Sequence, residues 1–396
     1  MAKAKTKKKT VVIEADELGD DFSEELIAAL NKEFGTRIAY NLTSTSSPVE
    51  IKHWISSGSK LLDYAMSNRR HGGAPGGRII EIFGPPSTGK SHIAFQMARD
   101  VQRRGGLVVY IDTENAVSIE KLAQMGIDVA KRFVYCDTHC TEEVFAIIES
   151  TILKAKQVVH KNVPVLAVWD SVAATSPKAE LNGAYDENTV GLQARTISKG
   201  MRKITGIIGQ SNATLVCLNQ TRMKIGIMFG DPTTTPGGMA IPFHASIRMQ
   251  LFGGGKLKNK DGDPIGINVT ASIIKNKVAP PFRKVAFSII FGKGIAENDS
   301  LVDCLRDASK NGPITVGNRM YSISDFGARK TLTTYTLDGE VVDEKKFYKS
   351  KFAELIQDDT YGPILDDFLD VVLTQDTGTV NIDEETIETK LLDVPA

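Results

Sequence analysis

Apolar residues are spaced in two ways along this chain. Between residues 18 and 34, Phe22, Leu26, Ile27, Ala29, Leu30 and Phe34 recur at helical steps and the run stops at Gly35, which predicts one amphipathic helix. A short extended stretch, 37–41, and a Thr/Ser/Pro-rich connector, 43–48, detach it from the rest. From Ile51 onward compact apolar runs occupy 79–83, 107–111, 133–136, 165–169 and 214–218, each separated by a helix-length segment. Runs this short and continuous suit buried strands, and their alternation with helices predicts a mostly parallel sheet covered on both faces. Beyond Arg248 the runs at 246–251, 266–274 and 283–290 follow closely, the last two joined by Ala279-Pro280-Pro281, and predict an antiparallel extension of that sheet.

The chain therefore reads as an α/β protein in five parts. These are a basic disordered arm (1–17), a small N-terminal helix with its linker (18–50), an α/β core (51–294), a small C-terminal α/β domain (295–375) and an acidic tail (376–396). The 48 Lys and Arg residues balance the 48 Asp and Glu, so only the distribution of charge is informative. Residues 191–260 hold ten Lys or Arg and one acid, Asp231, whereas 376–396 hold six acids and one Lys. A basic middle suits a polyanionic partner, and the tail suits a tethered competitor for the same surface. Cys136, Cys140, Cys217 and Cys304 read as reduced thiols of a cytoplasmic protein, and the Cys136, His139, Cys140 group lacks the second ligand pair of a zinc site. No apolar stretch reaches the roughly 18 residues of a membrane helix, so no membrane partner is expected.

Gly84-Pro85-Pro86-Ser87-Thr88-Gly89-Lys90-Ser91 follows the 79–83 run and precedes Ile93, Met97 and Val101 at helical spacing. Glycines let backbone N–H groups wrap phosphate, the Lys reaches β- and γ-oxygens, and the Ser holds Mg²⁺: a Walker A loop in its required strand–loop–helix setting. The run 165–169 ends in Asp170, the Walker B form, an acid able to hold the Mg²⁺ shell. The run 107–111 delivers Asp112-Thr113-Glu114 to the same sheet edge, where Glu114 is the candidate general base for water and a helix-capping acid is the alternative. The run 214–218 ends in Asn219-Gln220, an amide able to touch a γ-phosphate and report its loss. Segment 221–242, rich in Gly, Thr and Pro, has no regular period and reads as a functional loop.

At these residues the chain resembles the bacterial RecA recombinase family. The stretch from Asn219-Gln220-Thr221-Arg222 to Phe229-Gly230 resembles the family's second DNA-binding loop, and Asp170-Ser171-Val172-Ala173-Ala174 with Pro177-Lys178-Ala179-Glu180 its Walker B strand and exit. Gly191-Leu192-Gln193-Ala194-Arg195 resembles the end of the first DNA loop, and Lys275-Asn276-Lys277 with Pro281-Phe282 the hairpin that reaches a neighbouring subunit. The similarity runs from about residue 20 to 300; beyond it, Tyr361-Gly362-Pro363 is similar to divergent recombinases of large bacteriophages.

The resemblance implies a RecA-type P-loop ATPase core. The function it implies is a DNA-dependent ATPase that forms helical filaments on single-stranded DNA and catalyses homologous pairing and strand exchange with double-stranded DNA. It implies ATP at Gly84, Pro85, Pro86, Ser87, Thr88, Gly89, Lys90, Ser91, His92 and Asp170, with Mg²⁺ at Ser91 and Asp170. Catalysis is implied for Lys90, Glu114 and Gln220, with Lys275 and Lys277 supplied to a neighbour's site, and a subunit interface is implied at Phe243. The implied DNA contacts are Arg195, Lys199, Arg202, Lys203, Arg222, Met223, Lys224, Ile225, Met228, Phe229, Gly237 and Gly238. The cations among them neutralise backbone phosphates, while Met228 and Phe229 stack on or wedge between bases. Single-strand-binding and loader proteins are further implied partners. Lys121 stands where the family carries an adenine-stacking aromatic residue, and Pro236, Met239 and Pro242 replace polar residues of the second loop and its exit. A ring helicase with the same motor and a non-hydrolysing recombination mediator are the alternatives. The tandem loops and the Lys275, Lys277 pair favour the recombinase over the helicase, and joint retention of Lys90, Glu114, Asp170 and Gln220 argues against the mediator.

Overall fold

The computed structural model describes residues 22–42, 50–158, 163–184, 186–211, 213–223 and 233–375. The basic arm, the 43–48 connector, the acidic tail and Lys224, Ile225, Met228 and Phe229 lie outside the described residues. Two compact units divide after Glu50.

In the first unit, α1 (Phe22–Phe34) carries Glu24 and Glu25 in its first turn and Lys32 in its last, each opposing the helix dipole, and buries no residue. The stretch 37–41 forms no strand; the Asn31 side chain holds it instead. Asn31 Oδ1 accepts from the N–H groups of Ile38 (2.7 Å) and Ala39 (2.9 Å), and its Nδ2 donates to the Ala39 carbonyl (3.0 Å). Phe22, Leu26 and Phe34 remain exposed.

The second unit is organised by a nine-stranded sheet. Its strands are β1 (Ile79–Gly84), β2 (Leu107–Asp112), β3 (Phe133–Asp137), β4 (Val165–Asp170), β5 (Thr214–Gln220), β6 (Ile247–Lys258), β7 (Pro264–Asn276), β8 (Lys284–Ile290) and β9 (Gly294–Ala296). They lie in the order β9-β8-β7-β6-β1-β5-β4-β2-β3. Neighbours from β6 to β3 run parallel, and β6 to β9 run antiparallel. Successive residues of the central strands face opposite sides, as the pleat demands. Ile80, Ile82, Tyr110, Val168 and Val216 join one apolar cluster, while Ile79, Val109, Ile111, Trp169 and Leu215 join the other. The first is closed by α2 (Lys60–Ser67), α3 (Lys90–Arg103) and α4 (Ile119–Gln124); the second by α5 (Thr141–Val158) and α6 (Leu192–Ser211).

The segment read as irregular from 221 to 242 contains more structure than its composition indicates. Arg222–Met223 pairs with Thr233–Thr234 in a short antiparallel ribbon, and α7 (Ala240–His244) takes in Pro242. Proline is compatible there because the first turn of a helix has no intrahelical use for its N–H groups.

The unit is completed by α8 (Asn298–Ala308), a four-stranded antiparallel sheet, α9 (Phe352–Ile356) and α10 (Tyr361–Gln375). The strands of that sheet are β10 (Ile314–Val316), β11 (Arg319–Phe326), β12 (Arg329–Tyr335) and β13 (Val341–Phe347). Leu301, Leu305, Ile323, Leu332, Phe352 and Phe368 share the apolar cluster of α2 and α3, so this region and the large sheet have one continuous core. Glu297 reinforces the junction, accepting from Lys60 N (2.5 Å) and Leu61 N (3.3 Å) at the start of α2. Among the described residues no helix is long and apolar enough to cross a membrane.

The packing of α6 on α5 gives a direct test. Ile197, Met201, Ile204 and Ile208 form the buried stripe of α6. A Cβ on Gly200 would come within 2.4 Å of the Phe145 ring, whereas Cβ atoms on Gly206 and Gly209 would meet nothing within 4 Å. Gly206→Ala and Gly209→Ala should each stabilise by about 0.5–1 kcal/mol through helix propensity and unfolded-state entropy. Gly200→Ala should instead destabilise by about 1–3 kcal/mol through overpacking. Urea midpoints distinguish these outcomes, and a stabilising Gly200→Ala would remove the close α5–α6 contact from the account.

Candidate functional site

The carboxyl ends of β1, β2, β4 and β5 converge at one sheet edge. Gly84 stands opposite Gln220, and Asp112 opposite Asp170, in the parallel ladder. From β1 the chain turns through residues 85–89 into α3. Ser87 (φ 61°) and Gly89 (φ 89°) both take left-handed backbone, which Gly89 adopts without the Cβ penalty borne by Ser87. Gly89 is the N-cap of α3 and supplies no side-chain bond, so the first N–H groups of the helix face the loop uncapped by a side chain. Thr88 Oγ1 donates to the Pro85 carbonyl (2.9 Å), and Lys90 Nζ folds back to donate to the carbonyls of Gly84 (3.0 Å) and Pro85 (2.8 Å). Burial lowers the Lys90 pKa, with Asp170 and Glu114 pulling the other way.

The acids opposite the loop are held by groups that the strand ends bring together. Tyr110 Oη donates to Asp170 Oδ2 (2.5 Å). Burial raises the Asp170 pKa, against hydrogen bonds from Tyr110 and Ser91 that favour the charged form. Glu114 Oε1 accepts from Ser171 Oγ and, at 3.2 Å, from Gln220 Nε2. The backbone around this pair is locked, because Thr113 Oγ1 accepts from Ser171 N (2.8 Å) and donates to Ser171 O (2.8 Å). Asp112 accepts from the N–H groups of Glu114 (3.1 Å) and Val117 (3.1 Å) and from Tyr135 Oη (3.1 Å), a cap for the turn after β2. His92 has its pKa lowered to about 4, first by burial and then by Lys121 and Arg99, so its ring is neutral at physiological pH.

Lys90, Ser91, Glu114, Asp170 and Gln220 are thus brought together, as their positions at the start of α3 and at or just beyond the strand ends require. Tyr110, Thr113 and Ser171 were missed by sequence reasoning. The signal for Tyr110 was available: a phenol in an otherwise apolar strand, two residues before the strand-end acid, needs a buried partner for its hydroxyl.

The remaining sequence candidates lie on other surfaces. Lys275 Nζ donates to the carbonyls of Pro242 (2.6 Å) and Phe243 (2.9 Å), and Lys277 Nζ to that of Phe243 (3.3 Å). The Lys275 pKa is lowered to about 8 by burial and by the nearby charges of Lys277 and Arg248. Phe243 is 73% exposed. Arg195, Lys199, Arg202 and Lys203 lie along α6, with Arg202 Nη1 donating to Ser198 Oγ (2.9 Å) and Lys203 paired with Glu149 of α5 (2.6 Å). Arg222 and Met223 are exposed on the short ribbon. Gly237 and Gly238 turn against α6, where a Cβ on Gly237 would come 2.8 Å from Ile197 Cδ1.

A family model described as the RecA N-terminal domain matches residues 22–296. A protein named RecA from Borreliella afzelii is 38% identical over 329 residues, covering 82% of this chain and 86% of that protein. A RecA from Treponema denticola is 39% identical over 325 residues, covering 82% and 74%, and one from Cereibacter sphaeroides is 36% identical over 302 residues, covering 76% and 83%. The chain belongs to the RecA family. It is a recombinase acting in DNA recombination and repair, and a nucleotide-binding, DNA-dependent ATPase. The helicase and mediator alternatives are set aside by this membership. The site also fits the ligands of a RecA ATPase on its own chemistry: an uncapped helix start and a lysine suit phosphate, and Ser91 with Asp170 forms the oxygen-only donor pair that Mg²⁺ prefers.

Proposed function

We propose that this RecA-family protein binds ATP and Mg²⁺ at the β1–α3 loop and polymerises head to tail along single-stranded DNA, each subunit completing its neighbour's site during homologous pairing and strand exchange. The observation that carries the proposal is the Glu114 carboxylate, held by Ser171 and Gln220 on the side of the phosphate loop where its charge acts on Lys90. Lys90 leaves the Gly84 and Pro85 carbonyls to bind β- and γ-phosphate oxygens, joined by the first N–H groups of α3. Ser91 and Asp170 hold the metal, with Tyr110 fixing the Asp170 carboxylate. When bound, Mg²⁺ neutralises charge on the phosphate oxygens. Glu114 takes a proton from a water whose oxygen attacks the γ-phosphorus; the bond to the β,γ-bridging oxygen breaks, and its electron pair leaves with ADP. Gln220 changes partner as the γ-phosphate arrives and departs. Lys275 and Lys277 act on the adjacent subunit's phosphate, stabilising charge in the transition state. Exposed Phe243 supports an interface there, and the exposed stripe Phe22, Leu26 and Phe34 supports α1 as an assembly arm.

Glu114→Gln keeps the shape of the carboxylate and removes the base, so kcat for ATP should fall by about 10²–10⁴-fold with nucleotide affinity nearly unchanged. Steady-state turnover and fluorescent-nucleotide titration read the two quantities, and an unchanged rate would remove Glu114 from its role. For the shared site, neither Lys275→Ala nor Lys90→Ala should be active alone. In an equal mixture, roughly a quarter of head-to-tail contacts should pair the intact Lys90 of one with the intact Lys275 of the other and regain turnover. A mixture no better than its parents counts against action in trans.

Assembly should also depend on pH. In the free subunit Lys275 loses its proton above about pH 8. Contact with phosphate requires the ammonium, so assembly takes up a proton above that pH and should weaken by about tenfold per pH unit. Lys275→Arg, which keeps its charge, should flatten this slope in light-scattering assays of ATP-dependent polymerisation.

A further inference from the structure

Glu81 lies in the middle of β1, three residues before the glycine that opens the phosphate loop, and is completely buried. Both of its oxygens are used. Oε2 accepts from Arg248 Nε (2.6 Å), and Oε1 accepts from Asn219 Nδ2 (3.1 Å). Arg248 lies on β6 directly opposite Glu81, with its guanidinium 4.7 Å from the centre of the Phe83 ring, and it is also in register with Lys275 on β7. Asn219 is the residue before Gln220. Its Nδ2 also donates to the Pro236 carbonyl (3.1 Å), and its Oδ1 accepts from Gln220 N (3.0 Å). One buried carboxylate therefore touches, directly or through one side chain, the strand leading to the phosphate loop, the backbone of Gln220 and the backbone of Pro236 within segment 221–242.

Stability does not explain this arrangement. An ion pair taken out of water recovers little net energy, and well-packed apolar residues of similar volume are often as stable or more so. A fixed carboxylate does, however, leave the Asn219 amide only one orientation, because its Nδ2 hydrogens are committed to Glu81 and Pro236 while its Oδ1 serves Gln220.

We propose that Glu81 is a positioning residue that couples the nucleotide to the DNA loop: by anchoring the Asn219 amide, it makes a displacement of Gln220 move the Pro236 end of the loop. This rests on the reading of Gln220 as phosphate sensor and of segment 221–242 as a DNA-binding loop. Without the anchor the Asn219 side chain reorients locally, and the loop no longer follows the nucleotide. Arg248 holds the carboxylate in place, and through the β6–β7 pairing its charge also reaches Lys275.

The test is the ratio of affinities for a fluorescent oligo-dT, measured with a slowly hydrolysed ATP analogue and with ADP. Full-length wild type, Glu81→Gln, Asn219→Ala and their double variant are compared. A glutamine has one acceptor oxygen where Glu81 uses two, so it presents an NH₂ group to either Arg248 or Asn219, and Glu81→Gln should reduce the ratio by about tenfold or more, within the usual range of allosteric coupling. Binding of the nucleotide itself should remain within a few-fold of wild type. Asn219→Ala should give a similar loss, and the double variant no further loss, because both act through one contact. A purely structural role would lower nucleotide affinity and both DNA affinities together and leave the ratio unchanged, which overturns the proposal. If Glu81→Gln does not fold, Glu81→Met with Arg248→Met removes the ion pair as a unit while still denying Asn219 its acceptor; an intact ratio in that protein is equally decisive against it. A wild type whose DNA affinity ignores the nucleotide would instead refute the underlying reading of the loop, and the coupling with it.

Discussion

The register of the parallel strands is the constraint on which the site depends. Gly84 beside Gln220 and Asp112 beside Asp170 bring four strand ends to one level. The register is set by apolar burial on two sides. Because side chains alternate, a slip of one residue in β4 would carry Val168 and Trp169 into each other's clusters and turn Asp170 away from Tyr110. It would also part Ser171 from both Glu114 and Thr113. No polar bond at the edge is strong enough to hold this alignment alone, since each is worth only about 1 kcal/mol net. The two cores fix the geometry, and the polar edge uses it.

That division explains what was legible in the sequence. Apolar runs located the five central strands, and the motifs at their ends located Lys90, Asp170, Glu114 and Gln220. The strands run on by one or two polar residues, to Asp112, Asp137, Asp170 and Gln220, because ladder bonds continue through backbone whose side chains carry no apolar signal. The same effect is larger in β6, read as ending at residue 251 and reaching Lys258. Beyond Leu251 it pairs with β7 through Phe252, Leu257 and intervening exposed Gly and Lys positions, where apolar residues are too sparse to form a run. In 221–242, composition concealed α7, because Pro242 reads as a breaker unless its place in the first turn is known.

The partners of the site residues were harder to see. Tyr110 meets Asp170 across sixty positions of sequence, Ser171 meets Glu114 across fifty-seven, and Glu81 meets Arg248 across one hundred and sixty-seven. Such pairs depend on which strands are neighbours, and strand order is not written in the spacing of hydrophobic residues. It emerges only when β1 is inserted between β6 and β5, and β4 between β5 and β2. A lone acid in an apolar strand, as at Glu81, signals a buried partner without saying where in the chain it lies.

In the structure each charged group of the site already has a protein partner. Lys90 is bonded to loop carbonyls, Asp170 to Tyr110, Glu114 to Ser171 and Gln220, and Lys275 to the carbonyls of Pro242 and Phe243. A phosphate reaching Lys90 must replace bonds, so part of its interaction energy offsets those that are lost. This exchange lowers affinity relative to a site of unpaired groups. On the proposed function, filling the site also changes the partners of Gln220, and engaging a neighbour's phosphate changes those of Lys275. A site of free charges would bind more tightly and leave its surroundings unaltered, because a ligand shifts an equilibrium only through contacts that differ between the two states. On that reading the same protein bonds that oppose ligand entry give Gln220 and Lys275 two alternative sets of partners, and with them a physical means of registering the nucleotide beyond the site.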